Sequence, residues 1–255
     1  MHTPKFLLAA FCLTAALAVA QAPPAASICE IHINKIKPGM TQQYEQGRAK
    51  HMAWHKSQND AWSWAVWEIT TGDHTGDYLV GSCDHAWKDF DTLGEKFQTA
   101  DGANANATMG AALAGQTMAY YVRRPDISPA TPPGPPPPYL SVTHFFVKPE
   151  GVPDFVESAK KIAAALVKAD PASARANWYS LANGGHGPEF VLVQERKNFT
   201  EMQGPGKPLD QIVQEAYGDQ GAAIMTAVRK AQYGSYSELL HFRADLSYMP
   251  ASPKP

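Results

Sequence analysis

"INKIKPGMTQQY" at residues 33–44 and "HFFVKPEGVPDF" at residues 144–155 are one passage written twice. Lys37-Pro38 answers Lys148-Pro149, and Tyr44 answers Phe155, at a single offset. The correspondence continues in order along the chain. "WEITTGDHTGDYLV" (67–80) answers "YSLANGGHGPEFVL" (179–192), setting His74 against His186. "RPDIS" (124–128) answers "RADLS" (243–247), so Arg124, Asp126 and Ser128 meet Arg243, Asp245 and Ser247. Ordered self-similarity on this scale predicts a tandem duplication, with each copy a structural unit.

Between the copies lies "RPDISPATPPGPPPPY" (124–139), whose proline density reads as a stiff, polyproline-like linker rather than core. The expected organisation is a signal peptide (1–20), a first domain (21–124), a Pro-rich linker (125–138), a second domain (139–248) and a C-terminal tail (249–255). In each domain a strand (Cys29–Ile36, Leu140–Val147) is stopped by Lys-Pro and followed by a helix (Thr41–Ser57, Pro153–Ala169). A hairpin comes next, Ala61–Ile69 with Tyr78–Cys83 and Arg175–Leu181 with Glu189–Glu195, turned by glycines. Short helices start near Asp84 and Asn198, Ala-rich helices end near Gly115 and Gly234, and strands Thr117–Arg123 and Tyr236–Arg243 close the units. That order is β-α-β-β-α-β, the ferredoxin-like arrangement. One unit alone leaves a sheet face bare. The expected fold is therefore α+β: two tandem ferredoxin-like domains packing sheet to sheet as an intramolecular dimeric α/β barrel.

"CEIHINKIKPG" (29–39) resembles the opening strand and turn of NIPSNAP-like members of the dimeric α/β-barrel superfamily. "YLVGSCDHAWKDF" (78–90) resembles their third strand running into the next helix. The resemblance covers the mature chain once per half and implies the fold. The superfamily includes cofactor-free monooxygenases, haem-handling enzymes, small cyclases and many proteins of no known activity, so the resemblance implies no single chemistry. Its members place polar residues at the strand–helix junction, which adds weight to His85.

Lys5, the apolar run Phe6–Val19 and the small-x-small site Ala18-Val19-Ala20 read as a secretory signal peptide. The apolar run is shorter than the ~20 residues a membrane span needs. Export to a periplasmic or extracellular space follows as an expectation. Cys29 and Cys83 survive processing, and a ferredoxin-like sheet makes the start of the first strand neighbour the end of the third. They are a disulfide candidate, the alternative being two inert packed thiols. Losing Lys5 moves the formal charge from -2 to -3. No Lys/Arg cluster points to nucleic acid. A small-molecule partner, no membrane after cleavage and a monomer with an internal pseudo-dimer are the expectations.

"HMAWH" (51–55) places two imidazoles one helical turn apart, a spacing that can hold a metal. At the common offset His51 and His55 stand where the second half has Ile162 and Leu166, so both face inward. Two such imidazoles need partners: a metal with a third ligand, backbone groups, or partial exposure. No Glu-x-x-His or second His-x-x-x-His supports them, and packing or ligand lining is the reading favoured over metal.

Strand alternation points Ile31 and Ile33 at the helices and Glu30, His32 and Asn34 into the barrel, with Ser141, Thr143 and Phe145 opposite. "AWSWAVW" (61–67) adds Trp62 and Trp64 where the second half has alanines. Two readings stand: core complementarity, or an aromatic-walled pocket with Glu30, His32 and Asn34 as its polar contacts. His74 and His186 read as solvated turn residues, and His85 follows Asp84, a helix cap. Nucleophile-elbow, phosphate-loop, dinucleotide and zinc-protease motifs are absent from the sequence.

The expected function is binding of a small apolar or aromatic ligand in the barrel. One alternative is a cofactor-independent monooxygenase or isomerase-type enzyme with His32 or His85 as base. Another is haem or divalent-metal binding through His51 and His55. No cofactor is predicted under the leading reading.

Overall fold

The computed structural model describes residues 27–129 and 134–250. The expected signal peptide and most of the tail lie outside the described residues. The first half runs β1 (Ile28–Ile36), α1 (Thr41–Ser57), β2 (Ala65–Ile69), β3 (Tyr78–His85), α2 (Trp87–Thr92), α3 (Glu95–Met109) and β4 (Leu113–Arg123). The second runs β5 (Tyr139–Val147), α4 (Val152–Ala169), β6 (Ala176–Asn183), β7 (Glu189–Arg196), α5 (Leu209–Tyr217), α6 (Gly221–Ala231) and β8 (Gln232–Phe242).

The eight strands close into one antiparallel barrel in the order β1-β3-β2-β8-β5-β7-β6-β4. Each half contributes four strands, and β2–β8 and β4–β6 join the halves. The closing strands begin earlier than expected, because β4 pairs along β1 as far as Ile36↔Leu113. β2 begins later: Asp60 Oδ1 accepts the Trp62 N–H at 3.0 Å and turns the chain there, so Trp62 and Trp64 precede the strand.

The repeated motifs make the same bonds twice. The Lys37 and Lys148 amides donate to Ala112 and Ala231 carbonyls at 2.9 and 2.8 Å, tying each β–α turn to the last helix. Ser128 Oγ accepts the Trp178 N–H at 2.8 Å, and Ser247 Oγ accepts the Val66 N–H at 2.9 Å. Each RxDxS motif therefore clasps a strand of the opposite half, which is why it sits at the end of both copies.

The two sheet–helix interfaces differ in chemistry. In the second half α4 buries Phe155 and Ala159 against Trp178 and Phe190, an apolar layer. In the first half α1 buries Tyr44, Arg48, His51 and His55. The sheet face beneath is polar to match: Asn34 Nδ2 donates to Tyr44 Oη at 2.9 Å and its Oδ1 accepts from Gln116 at 2.7 Å.

This matching reverses the expected strand faces. Cys29, Ile31 and Ile33 line a barrel cavity of about 620 Å³ with Val142, His144 and Leu240. Glu30, His32 and Asn34 face the helices, and so does Phe145, whose ring packs 5.6 Å from Phe155. The reason is hydrogen bonding. The polar row finds partners under a polar helix stripe, whereas much of the barrel interior is an aliphatic and aromatic cluster of Val142, Val191 and Leu240 with Ile33. With a period of two, one shift of phase moves the whole row to the other face. Cys29 and Cys83 are joined by a disulfide, their Cα atoms 4.0 Å apart.

Candidate metal centre

α1 and α3 approach closely at Gly47, where a Cβ would lie 2.3 Å from the Thr108 carbonyl oxygen. Below this contact the helices run side by side, and α3 presents Asp101 and Asn104 to α1. His51 Nδ1 donates to Asn104 Oδ1 at 2.9 Å. His55 Nδ1 donates to Asp60 Oδ2 at 2.8 Å. Those bonds place a ring proton on each Nδ1 and turn the two Nε2 atoms toward each other, 3.2 Å apart and within hydrogen-bond range. Asp101 Oδ1 lies 3.3 Å from His51 Nε2 and 3.2 Å from His55 Nε2. It is buried and accepts no hydrogen bond.

Three acceptors thus converge on one point. Neutral imidazole nitrogens and a carboxylate oxygen repel one another unless a cation lies among them. A proton on one ring is one solution. Burial, together with the Arg48 and His55 charges, pushes His51 down to about 4, against the hydrogen bond it donates to Asn104. Burial opposes a charge on His55 too, but the Asp101 and Asp60 carboxylates outweigh it and raise its pKa. A divalent metal is the other solution: two imidazoles and a carboxylate are a common ligand set, and histidine ligands characteristically donate the second ring nitrogen to a polar acceptor.

Asp60 is held in turn by Trp64 Nε1 at 3.0 Å, while Tyr248 Oη donates to its carbonyl at 2.8 Å. Trp54 stacks on His51 at 5.9 Å and packs against Phe97 at 5.6 Å, so aromatic rings wall the site.

The other expected residues cluster nearby, in the same layer. His32 Nε2 bonds Glu30 at 2.6 Å, and its ring lies 6.2 Å from Trp64, which is 5.6 Å from His55. His85 stacks on Trp62 at 3.7 Å and bonds Ser82 Oγ at 2.7 Å. Asp84 does not cap α2: it takes φ +67° and accepts from Ser27, while Asp89 caps the Ala86 amide. His74 is tied to Glu238 at 2.6 Å and, with His186, lines the barrel cavity.

Asp60, Asp101, Asn104 and Arg48 were not singled out in the sequence. Arg48 stands in the inward stripe where the second half has Ala159. Asp101 is the only acid between positions 96 and 109, three residues from Asn104. Both signals were present.

No family model and no curated protein matches this chain. Solved structures do. A candidate monooxygenase from Fusobacterium nucleatum subsp. nucleatum ATCC 25586 matches with TM-score 0.55 and 11% identity, covering 86% of this chain and 94% of its own. A candidate monooxygenase from Lactobacillus acidophilus NCFM matches with TM-score 0.51 and 12% identity, covering 88% and 97%. A mutant chlorite dismutase from Candidatus Nitrospira defluvii matches with TM-score 0.52 and 11% identity, covering 86% and 92%. At such identities the likeness is one of fold, and that fold is the dimeric α/β barrel, built here from both halves of a single chain.

Proposed function

We propose that the protein binds a divalent transition metal through His51 Nε2, His55 Nε2 and Asp101 Oδ1. The convergence of three acceptors within about 3.3 Å, with both Nδ1 atoms anchored, carries the reading. Three protein ligands leave coordination positions open, the pattern of a catalytic rather than a closed structural site. Two histidines and one carboxylate suit iron(II) or zinc. Bound metal would supply Lewis acidity to a ligand or water in the open positions. Asn104 and Asp60 would hold the rings, and Trp54 and Phe97 would limit water. Joint ligation of one haem iron by His51 and His55 fits poorly, because both rings come from one helix and aim at one point.

The test is elemental analysis of protein purified without chelator, followed by zinc titration calorimetry. One ion per chain is expected, lost in His55→Ala and Asp101→Asn. Wild-type protein that neither carries nor takes up an ion would overturn the reading.

The wider setting is read the same way. The repeated Lys-Pro and RxDxS bonds support a tandem duplication with the domain limits expected above, and the NIPSNAP-like resemblance supports that branch of the superfamily. The N-terminal pattern and the disulfide support export to an oxidising compartment. Among the described residues no helix is long and apolar enough to cross a membrane.

A further inference from the structure

Among the described residues, five buried side-chain nitrogen or oxygen atoms have no hydrogen-bond partner. Four of them belong to the polar first half: His32 Nδ1, Arg48 Nε, Arg48 Nη2 and Asp101 Oδ1. Asp101 is explained by the metal site. Arg48 is not. It is 4% exposed, so its head group does not reach out to water along its stem. No carboxylate among the described residues lies within salt-bridge range of it, and the rest of the chain contains no Asp or Glu. A buried guanidinium with an unfilled Nε–Nη2 edge is costly for a fold.

Which edge is free is informative. Elsewhere in this molecule the Nε–Nη2 edge forks onto a carboxylate. Arg124 does so with Asp126 at 2.8 and 2.7 Å, and Arg243 with Asp245 at 3.0 and 2.8 Å. In Arg48 that same pair of donors is unfilled. Two parallel N–H groups match the two oxygens of a carboxylate in distance and plane. Arg48 lies one turn before His51 on the buried face of α1, where burial disfavours its charge and the Asp101 carboxylate favours it.

We infer that Arg48 is a specificity residue that receives a small organic carboxylate on its Nε–Nη2 edge, in the layer between α1 and the sheet. The inference uses the metal reading only for what lies beside that ligand. Charge favours the pairing. Asp60 is engaged by His55 and Asp101 faces the metal point, so neither forks onto Arg48, whose positive charge has no carboxylate on its Nε–Nη2 edge. An entering carboxylate cancels it.

The experiment is calorimetry on metal-free and zinc-loaded protein with acetate, oxalate and benzoate, each beside its amide. At least one carboxylate should bind, with its amide weaker by about tenfold or more. Arg48→Lys keeps the charge but loses the fork, and should weaken that carboxylate about tenfold while leaving zinc affinity within a few-fold. Failure of every carboxylate, equal binding of the amides, or an Arg48→Lys protein that binds like wild type would overturn the inference. Should Arg48→Lys not fold, the carboxylate–amide comparison on wild type still decides. Carboxylate binding without zinc binding would sink the metal centre and leave the Arg48 site standing.

Discussion

Each histidine of the pair gives its Nδ1 proton to a group outside the metal point, and that use of one nitrogen frees the other. Asn104 is the simpler anchor, since its Oδ1 receives only the His51 bond at 2.9 Å. Removing it lets the ring rotate and swap tautomer, so Asn104→Ala should weaken zinc binding about 10–100-fold. Stoichiometry at saturating zinc should stay at one ion, because the three ligands remain. Competition titration against a chelator of known affinity separates this from loss of the site. Unchanged affinity would mean that Asn104 only packs.

At the scale of elements, the functional chemistry follows from one helix stripe. Gly47 sits inside α1, where alanine would ordinarily be the better helix former by roughly 1 kcal/mol. Here the added Cβ would meet Thr108 backbone atoms at 2.3 and 2.8 Å. Gly47→Ala should therefore push α1 from α3 and destabilise the protein by about 1–3 kcal/mol, read as a lower Tm. It should also weaken zinc binding, since α3 carries Asp101. A raised Tm would show that the helices do not need this contact. The same pairing explains what the sequence did and did not reveal. The repeat made the element order legible, and the offset against Ile162 and Leu166 turned His51 and His55 inward. The sheet face is not legible from the strand alone, because a polar row suits a cavity as well as it suits the polar helix stripe containing Arg48 that covers it. The third ligand, Asp101, is hidden because α3 meets α1 through a tertiary contact, as is its neighbour Asn104, 53 residues from His51. No local spacing rule reaches that far.

At the scale of the whole molecule, the two RxDxS clasps are alike in bonding but not in load. Arg124 forks onto Asp126 and lies over Phe190 at 5.3 Å. Arg243 forks onto Asp245 and also reaches Glu45 on α1 and Glu68 on β2, joining the end of the second half to a helix and a strand of the first. The hydrogen bond from Arg243 holds the Glu45 carboxyl below its usual 4.5 and that of Asp245 below 3.8. Depressed carboxylate pKa values stabilise the fold above the unfolded-state values, and that stability is lost as pH falls through the folded-state ones. The Arg243 network should thus hold in full near neutrality and weaken as pH falls below about 4. Arg243→Ala should lower stability by about 2 kcal/mol at pH 7, more than Arg124→Ala. The Tm gap between wild type and Arg243→Ala should narrow steadily on acidification. A gap that stays constant from pH 7 to pH 3 would show that Arg243 acts through packing of its stem. In that case the join between the halves would rest on the strand seams, the Ser128 and Ser247 bonds, and contacts such as His74–Glu238 and Tyr248–Asp60.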